Sequence, residues 1–176
     1  SPLTKAVNKQ LLPLYDKPLI FYPLSILMLA NIKNILMIVN PGQIENFKNL
    51  LGDGKRYGIK IAYKIQNKPR GLPEAFILGK NFIKNDNVAL ILGDNFFYGQ
   101  SLTSKLEKSL LHKNGARIFL KKVNKPENYG IAKISKNSIE KILEKPKKFI
   151  SDQAITGLYF FDNKVYKYAK TLKPSK

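Results

Sequence analysis

Apolar positions fall into two alternating textures along the first two thirds of the chain. Residues 18–30, PLIFYPLSILMLA, are apolar on every side, which predicts a buried helix opened by a proline. NILMIVN, 34–40, is a short β-branched run and reads as a buried strand. Helical spacing follows over 43–51, then a Gly52-Asp53-Gly54 turn leads into the strand IKIAYKIQ, 59–66. A helix over 72–83, the strand VALIL at 88–92 and a helix over 101–112 continue the alternation. Continuous apolar strands separated by helices predict an α/β fold, with a mostly parallel central sheet covered by helices on both faces.

After Gly115 the texture changes. ARIFLKKV, YGIAKI, SIEKIL and AITGLYFF are strand-like runs with few helical residues between them, and a last helix is expected over 162–172. This half predicts a mixed or antiparallel extension of the same sheet. Neither a long Gly/Ser linker nor a repeat of about 20–50 residues interrupts the chain, so residues 1–176 read as a single domain.

Composition narrows the function classes. At 176 residues, 44% hydrophobic and 24% charged, the chain is globular in character, and no apolar run approaches the ~18 residues a membrane span needs. Neither a membrane nor an export route is expected, and the cytoplasm is the expected compartment. The absence of cysteine removes disulfides, thiolate metal sites and Cys-His nucleophilic chemistry. His112, the single histidine, is expected to act as a cationic helix cap.

The formal charge of +19 raises the possibility of a polyanion partner. Of 31 basic residues, however, only Arg56, Arg70 and Arg117 are arginines, and the lysines are spread along the chain. Base readers and phosphate clamps favour the planar fork of arginine, so a lysine-rich solvated surface accounts for the charge better than nucleic-acid binding.

Candidate chemistry gathers at strand ends, because ligands of open α/β sheets bind beyond the carboxyl ends of the strands. Asp94 follows VALIL in LGDNFFYG and could hold Mg²⁺, a hard cation that shares its oxygen ligands with substrate phosphates. An isolated Asp-Asn is more often a plain turn, so its neighbours must decide. Lys9 and Gln10 in NKQLLP could offset phosphate charge. Gln66 ends a strand with both a donor and an acceptor, and Gly71 opens the following helix with room for a flat ligand. Tyr129 and Gly130 enter a strand, Glu144 and Lys145 close another, and Gly157 interrupts an aromatic run. The last three motifs also suit a solvated ion pair and a bulge. Metal plus lysine is the chemistry available, which suits phosphoryl or nucleotidyl transfer.

Taken in order, NKQLLPLYDKPLIFYPLSILMLA, LLGDG, GLPEAF, LGDNFFYG, YGIAKI, EKP and TGLYFFD resemble the glucose-1-phosphate thymidylyltransferases of the sugar nucleotidyltransferase family across essentially the whole chain. The resemblance implies a Rossmann-like nucleotidyltransferase fold and Mg²⁺-dependent formation of dTDP-glucose and pyrophosphate from dTTP and glucose 1-phosphate, toward dTDP-rhamnose and surface polysaccharide. It implies Asp94 as metal ligand, Gln66 and Gly71 at the thymine, and Lys9 and Gln10 along the nucleotide. Tyr129 leads into Gly130, which lines the glucose 1-phosphate pocket with Glu144, Lys145 and Gly157; Lys145 lies on the phosphate. Lys9, Lys145 and Asp94 are the expected catalytic groups, and a homotetramer is the expected state of the full-length protein.

The family opens with a strand and a glycine-rich loop and continues to a second metal-binding aspartate. Neither is found here, so the chain is expected to be an internal fragment, inactive alone. Arg70 and Pro73 also stand where the family more often has an acidic or polar residue and alanine. Two other readings make different predictions: a basic nucleic-acid-binding module, with salt-sensitive affinity for DNA, and a catalytically inactive sugar-nucleotide-binding relative.

Overall fold

The computed structural model describes residues 8–68 and 70–172. A 3₁₀ turn at Lys9–Leu11 precedes a small antiparallel hairpin of β1 (Pro13–Leu14) and β2 (Lys17–Pro18). Then come α1 (Phe21–Leu29), β3 (Asn34–Val39), α2 (Ile44–Leu51), β4 (Lys60–Ile65), α3 (Pro73–Leu78), α4 (Lys80–Ile83) and β5 (Val88–Ile91). The second half contains α5 (Leu102–Leu110), β6 (Ala116–Lys122), β7 (Gly130–Ser135), β8 (Ser138–Glu144), β9 (Gln153–Phe161) and α6 (Val165–Thr171). Every expected strand and helix is found. The expected helix over 72–83 is divided at Gly79, which caps α3 and precedes α4.

β3 and β4 pair in parallel, from Asn34 opposite Lys60 to Val39 opposite Ile65. The rest form a five-stranded sheet in the order β5-β9-β7-β8, with β6 also on β9, and all of its pairings are antiparallel. VALIL was expected in a mostly parallel sheet; among the described residues its partner is antiparallel β9, with Val88 opposite Phe161. A continuous apolar run reports that both faces are covered and carries no direction, so this difference was not available from periodicity.

Helices do cover both faces. Ala89 and Ile91 pack toward the cluster holding Ile26 of α1 and Ala30 just after it, Leu106 of α5, and Leu158 and Phe160 of β9. Val88, Leu90 and Phe161 face Phe76, Ile83, Val165 and Ala169 on the other side. A third cluster joins Leu24 and Leu27 to Ile35, Met37 and Val39, with Phe47 and Leu51 of α2 fully buried. Alternation along β5 therefore sends successive residues to opposite helical layers.

The two sheets are not hydrogen-bonded to each other among the described residues. Between them lies a cavity of about 860 Å³, lined by Leu36 and Ile38 of β3 and Val88 and Leu90 of β5, with Gln10 and Gln66 also on its wall. Among the described residues no helix is long and apolar enough to cross a membrane.

Candidate active site

The 3₁₀ turn carrying Lys9 and Gln10 is built by Asn8, whose side-chain oxygen accepts the Gln10 amide proton at 2.9 Å. The Gln10 carbonyl in turn accepts the amide proton of Ile20, fastening the turn to the start of α1. Lys9 Nζ then lies 3.1 Å from Asp94 Oδ2, at the carboxyl end of β5 and 85 residues away in sequence. Gln10 lies against Gly93: a Cβ there would come 2.6 Å from Gln10 Nε2, so the missing side chain leaves room for the Gln10 amide. Lys9 and Asp94 are 61% and 42% exposed. An ion pair that open contributes at most about 1 kcal/mol, so both charges can exchange partners with a ligand.

The turn after Asp94 is held by Asn95, whose amide donates to the Thr156 carbonyl of β9. Leu92 N–H donates to Gly157 O at 3.0 Å. Gly157 has φ +77°, and a Cβ on it would overlap the Asn95 amide and meet Leu92 Cδ1 at 2.7 Å. Gly157 thus shapes the Asp94 turn from behind, a role its position in an aromatic run did not reveal. The aromatic residues of FFYG are of a type that usually returns a chain to the core. Only Phe97 joins it; Phe96 is half exposed and packs edge-on against Tyr22 at 5.0 Å, and Tyr98 is 92% exposed.

Gln66 stands one residue beyond β4, its N–H donating to Val39 O at 2.8 Å. Its Nε2 donates to Glu74 Oε2 at 2.6 Å, and the same oxygen accepts Arg70 N–H at 3.2 Å. Gly71 takes φ +87°, the left-handed conformation that turns the loop into α3, and Pro73 sits in the first turn of that helix. Gln10, Gln66 and Gly71 all line the cavity between the sheets.

The second group of residues is set by the β7–β8 register, which puts Gly130 opposite Glu144. A Cβ on Gly130 would lie 2.9 Å from Glu144 Oε2, so the missing side chain makes room for that carboxylate. Lys145 N–H donates to Tyr129 O at 2.9 Å, and Lys145 takes φ +43°, which turns the chain sharply away from the strand. Burial, and after it the negative charge of Glu144, pushes the Tyr159 phenol above its ordinary pKa. β7 pairs with β9 through Ile131 and Ala154, so the hairpin and β9 belong to one sheet.

Sequence reasoning missed Asn95, Glu74 and Tyr159. Asn95 was readable only as half of an Asp-Asn turn, and Glu74 only as a helix-opening acid. Tyr159 carried no signal beyond its aromatic run. A fourth group, Asp162, directly follows β9 in TGLYFFD. It is buried and accepts Gly115 N–H at 2.6 Å and Lys164 N–H at 2.9 Å. The Gly115 bond is the main reason its pKa is held below the ordinary carboxylate value.

Asp94 offers the kind of oxygen a magnesium ion takes. Among the described residues no three His, Cys, Asp or Glu side chains gather into a protein cage for a metal. Mg²⁺ is usually held by one or two carboxylates and substrate phosphates, and Asp94 could supply one such carboxylate.

An α/β domain with a carboxylate and a lysine meeting at a strand end is suited to handling phosphate groups, and residues 1–176 match the nucleotidyl transferase family. The chain belongs to that family. It is 52% identical over 178 residues to a glucose-1-phosphate thymidylyltransferase of Neisseria meningitidis, covering 99% of this chain and 61% of that protein. A Xanthomonas campestris glucose-1-phosphate thymidylyltransferase is 47% identical over 99% of this chain and 59% of its own length. The chain thus spans about three fifths of these curated relatives. A crystal structure from Bacillus anthracis in complex with a sucrose is 37% identical with a TM-score of 0.90, over 99% of this chain and 70% of that one. A UDP-glucose pyrophosphorylase complexed with UDP-glucose shares the fold at 22% identity and a TM-score of 0.82, over 99% and 75% of the respective chains.

Proposed function

We propose that the chain is the substrate-binding part of a glucose-1-phosphate thymidylyltransferase, which forms dTDP-glucose and pyrophosphate from dTTP and glucose 1-phosphate. The observation that carries this reading is the meeting of Lys9 and Asp94 at the end of β5, 3.1 Å apart, beside the cavity that Gln10, Gln66 and Gly71 share. On this reading Gln66 and the Gly71 backbone read the thymine edge, and Gln10 lies along the nucleotide. Lys9 offsets charge on the triphosphate, and Asp94 is the metal ligand. Tyr129 and Gly130 shape the sugar pocket with Gly157; Glu144 accepts sugar hydroxyls, and Lys145 binds the sugar phosphate and aligns its oxygen with the α-phosphorus.

The reaction is an in-line displacement: the sugar-phosphate oxygen bonds to the α-phosphorus as the bond to pyrophosphate breaks. Lys145 holds the attacking group and Lys9 stabilises the negative charge that builds on the departing side. Mg²⁺ held by Asp94 would offset charge on the phosphate oxygens when bound. No covalent enzyme intermediate is needed.

Residues 1–176 are read as one nucleotidyltransferase domain whose central cavity takes a further strand and glycine-rich loop in the whole protein. Among the described residues the edges of β3 and β5 on that cavity are unpaired, which supports this. The cytoplasm, a role toward dTDP-rhamnose and a homotetramer belong to the same proposal. Pyrophosphate release from dTTP and glucose 1-phosphate by the full-length protein tests it, with Mg²⁺ required and residues 1–176 alone inactive. Turnover that is absent with both substrates and Mg²⁺ present overturns the reading.

A further inference from the structure

Gln66 is fastened by a partner that permits one orientation of its amide. Its Nε2 lies 2.6 Å from Glu74 Oε2, and the same oxygen takes the Arg70 N–H at 3.2 Å, so one carboxylate holds both the side chain and the loop behind it. A carboxylate accepts hydrogen bonds and has none to donate. The NH₂ of Gln66 must therefore turn toward Glu74, and the carbonyl Oε1 is the end left for a ligand. A flipped amide would set two acceptors against each other and forfeit the charge-assisted bond.

That choice has a chemical consequence at the cavity wall that Gln66 lines with Gly71 and Gln10. Thymine and uracil present an N3–H between two carbonyls, whereas cytosine presents an N3 lone pair beside an amino group. A fixed acceptor opposite N3 matches the first and repels the second. With a neutral amide in place of Glu74, either end of Gln66 could face the ligand. Glu74 sits in the first turn of α3, where the helix end favours a negative charge, and the Gly71 turn and Pro73 set where that turn begins.

We propose that Glu74 is a specificity-determining positioning residue: by locking the amide of Gln66 it makes the site accept imide bases and reject cytosine. The inference rests on the reading above that Gln66 faces the base.

The test compares dTTP and dCTP as substrates of the full-length protein, as the ratio of kcat/KM values. In Glu74→Gln the ratio is expected to fall on the order of tenfold, chiefly through a gain with dCTP, because an unlocked amide can serve either base. Glu74→Asp keeps an acceptor-only partner and should retain the preference. A variant that merely damaged the loop would lose both substrates in proportion, and that result in Glu74→Gln would overturn the lock. Gln66→Leu separates the two levels. If it removes the dTTP preference while Glu74→Gln keeps it, the base-reading role stands and the lock is wrong. If it leaves the preference intact, Gln66 does not read the base and both fall.

Discussion

The Asp94 turn and the Glu144 hairpin end place similar residues by different means. Glu144 meets Gly130 because β7 and β8 are neighbours in sequence and their register sets them opposite. Asp94 meets Lys9 across 85 residues, and its turn is held from behind by Asn95 and Gly157 of a strand still further along. The hairpin is also the more open of the two, with β8 exposed along nearly its whole length. A locally encoded site tolerates change in its frame, whereas one assembled by distant contacts transmits any change in them to the reacting groups.

The sharpest break in that comparison is at Asp94. Replacing it with Asn keeps the shape and removes the negative charge, and turnover of the full-length protein should fall about 100- to 1,000-fold with little change in melting temperature. Wild-type turnover in Asp94→Asn at limiting Mg²⁺ would mean that charge at this position is dispensable.

Gly157→Ala should come next, as a loss of stability. A left-handed alanine costs roughly 1–2 kcal/mol, and the overlap with Leu92 and Asn95 about 1–3 kcal/mol more. Denaturant unfolding reads the total. Turnover should fall with it, since the displaced groups support Asp94.

Asp162→Asn should cost about 1–3 kcal/mol at neutral pH, by weakening the bonds from Gly115 and Lys164. The native pKa of Asp162 is depressed, so its contribution is present above the unfolded carboxylate pKa and is lost as pH falls through the folded one. Melting temperatures of wild type and variant should therefore converge on acidification; parallel curves would refute the assignment.

Gly130→Ala should be the mildest. The added Cβ meets only the far end of Glu144, 2.9 Å away, and that flexible carboxylate can swing aside. Stability should change by less than about 1 kcal/mol. If Glu144 takes the sugar hydroxyls as proposed, the glucose 1-phosphate KM should rise roughly three- to tenfold. A larger stability loss than at Gly157 would reverse the contrast between the two regions.

The strands and helices were legible because each reports on itself. The runs at 34–40, 59–66 and 88–92 became β3, β4 and β5 within a residue or two at each end. Pairing direction was not legible, since β5 and β9 are both apolar runs covered on two faces and a parallel partner would have demanded the same residues. Phe96 and Tyr98 illustrate the same limit: aromatic character suggested the core, and the turn imposed by Asn95 left them outside.

What the amino-acid order determined by itself is local: which segments form strands and helices, where glycines must turn, and which residue types stand at strand ends. These follow from spacing and backbone sterics within a few residues. Only the tertiary structure decided that Lys9 reaches Asp94, that Gly157 is needed by Asn95, and that Glu74 holds the amide of Gln66. Such contacts depend on how buried faces bring distant or loop-separated segments together, and a linear pattern records the faces without recording their partners.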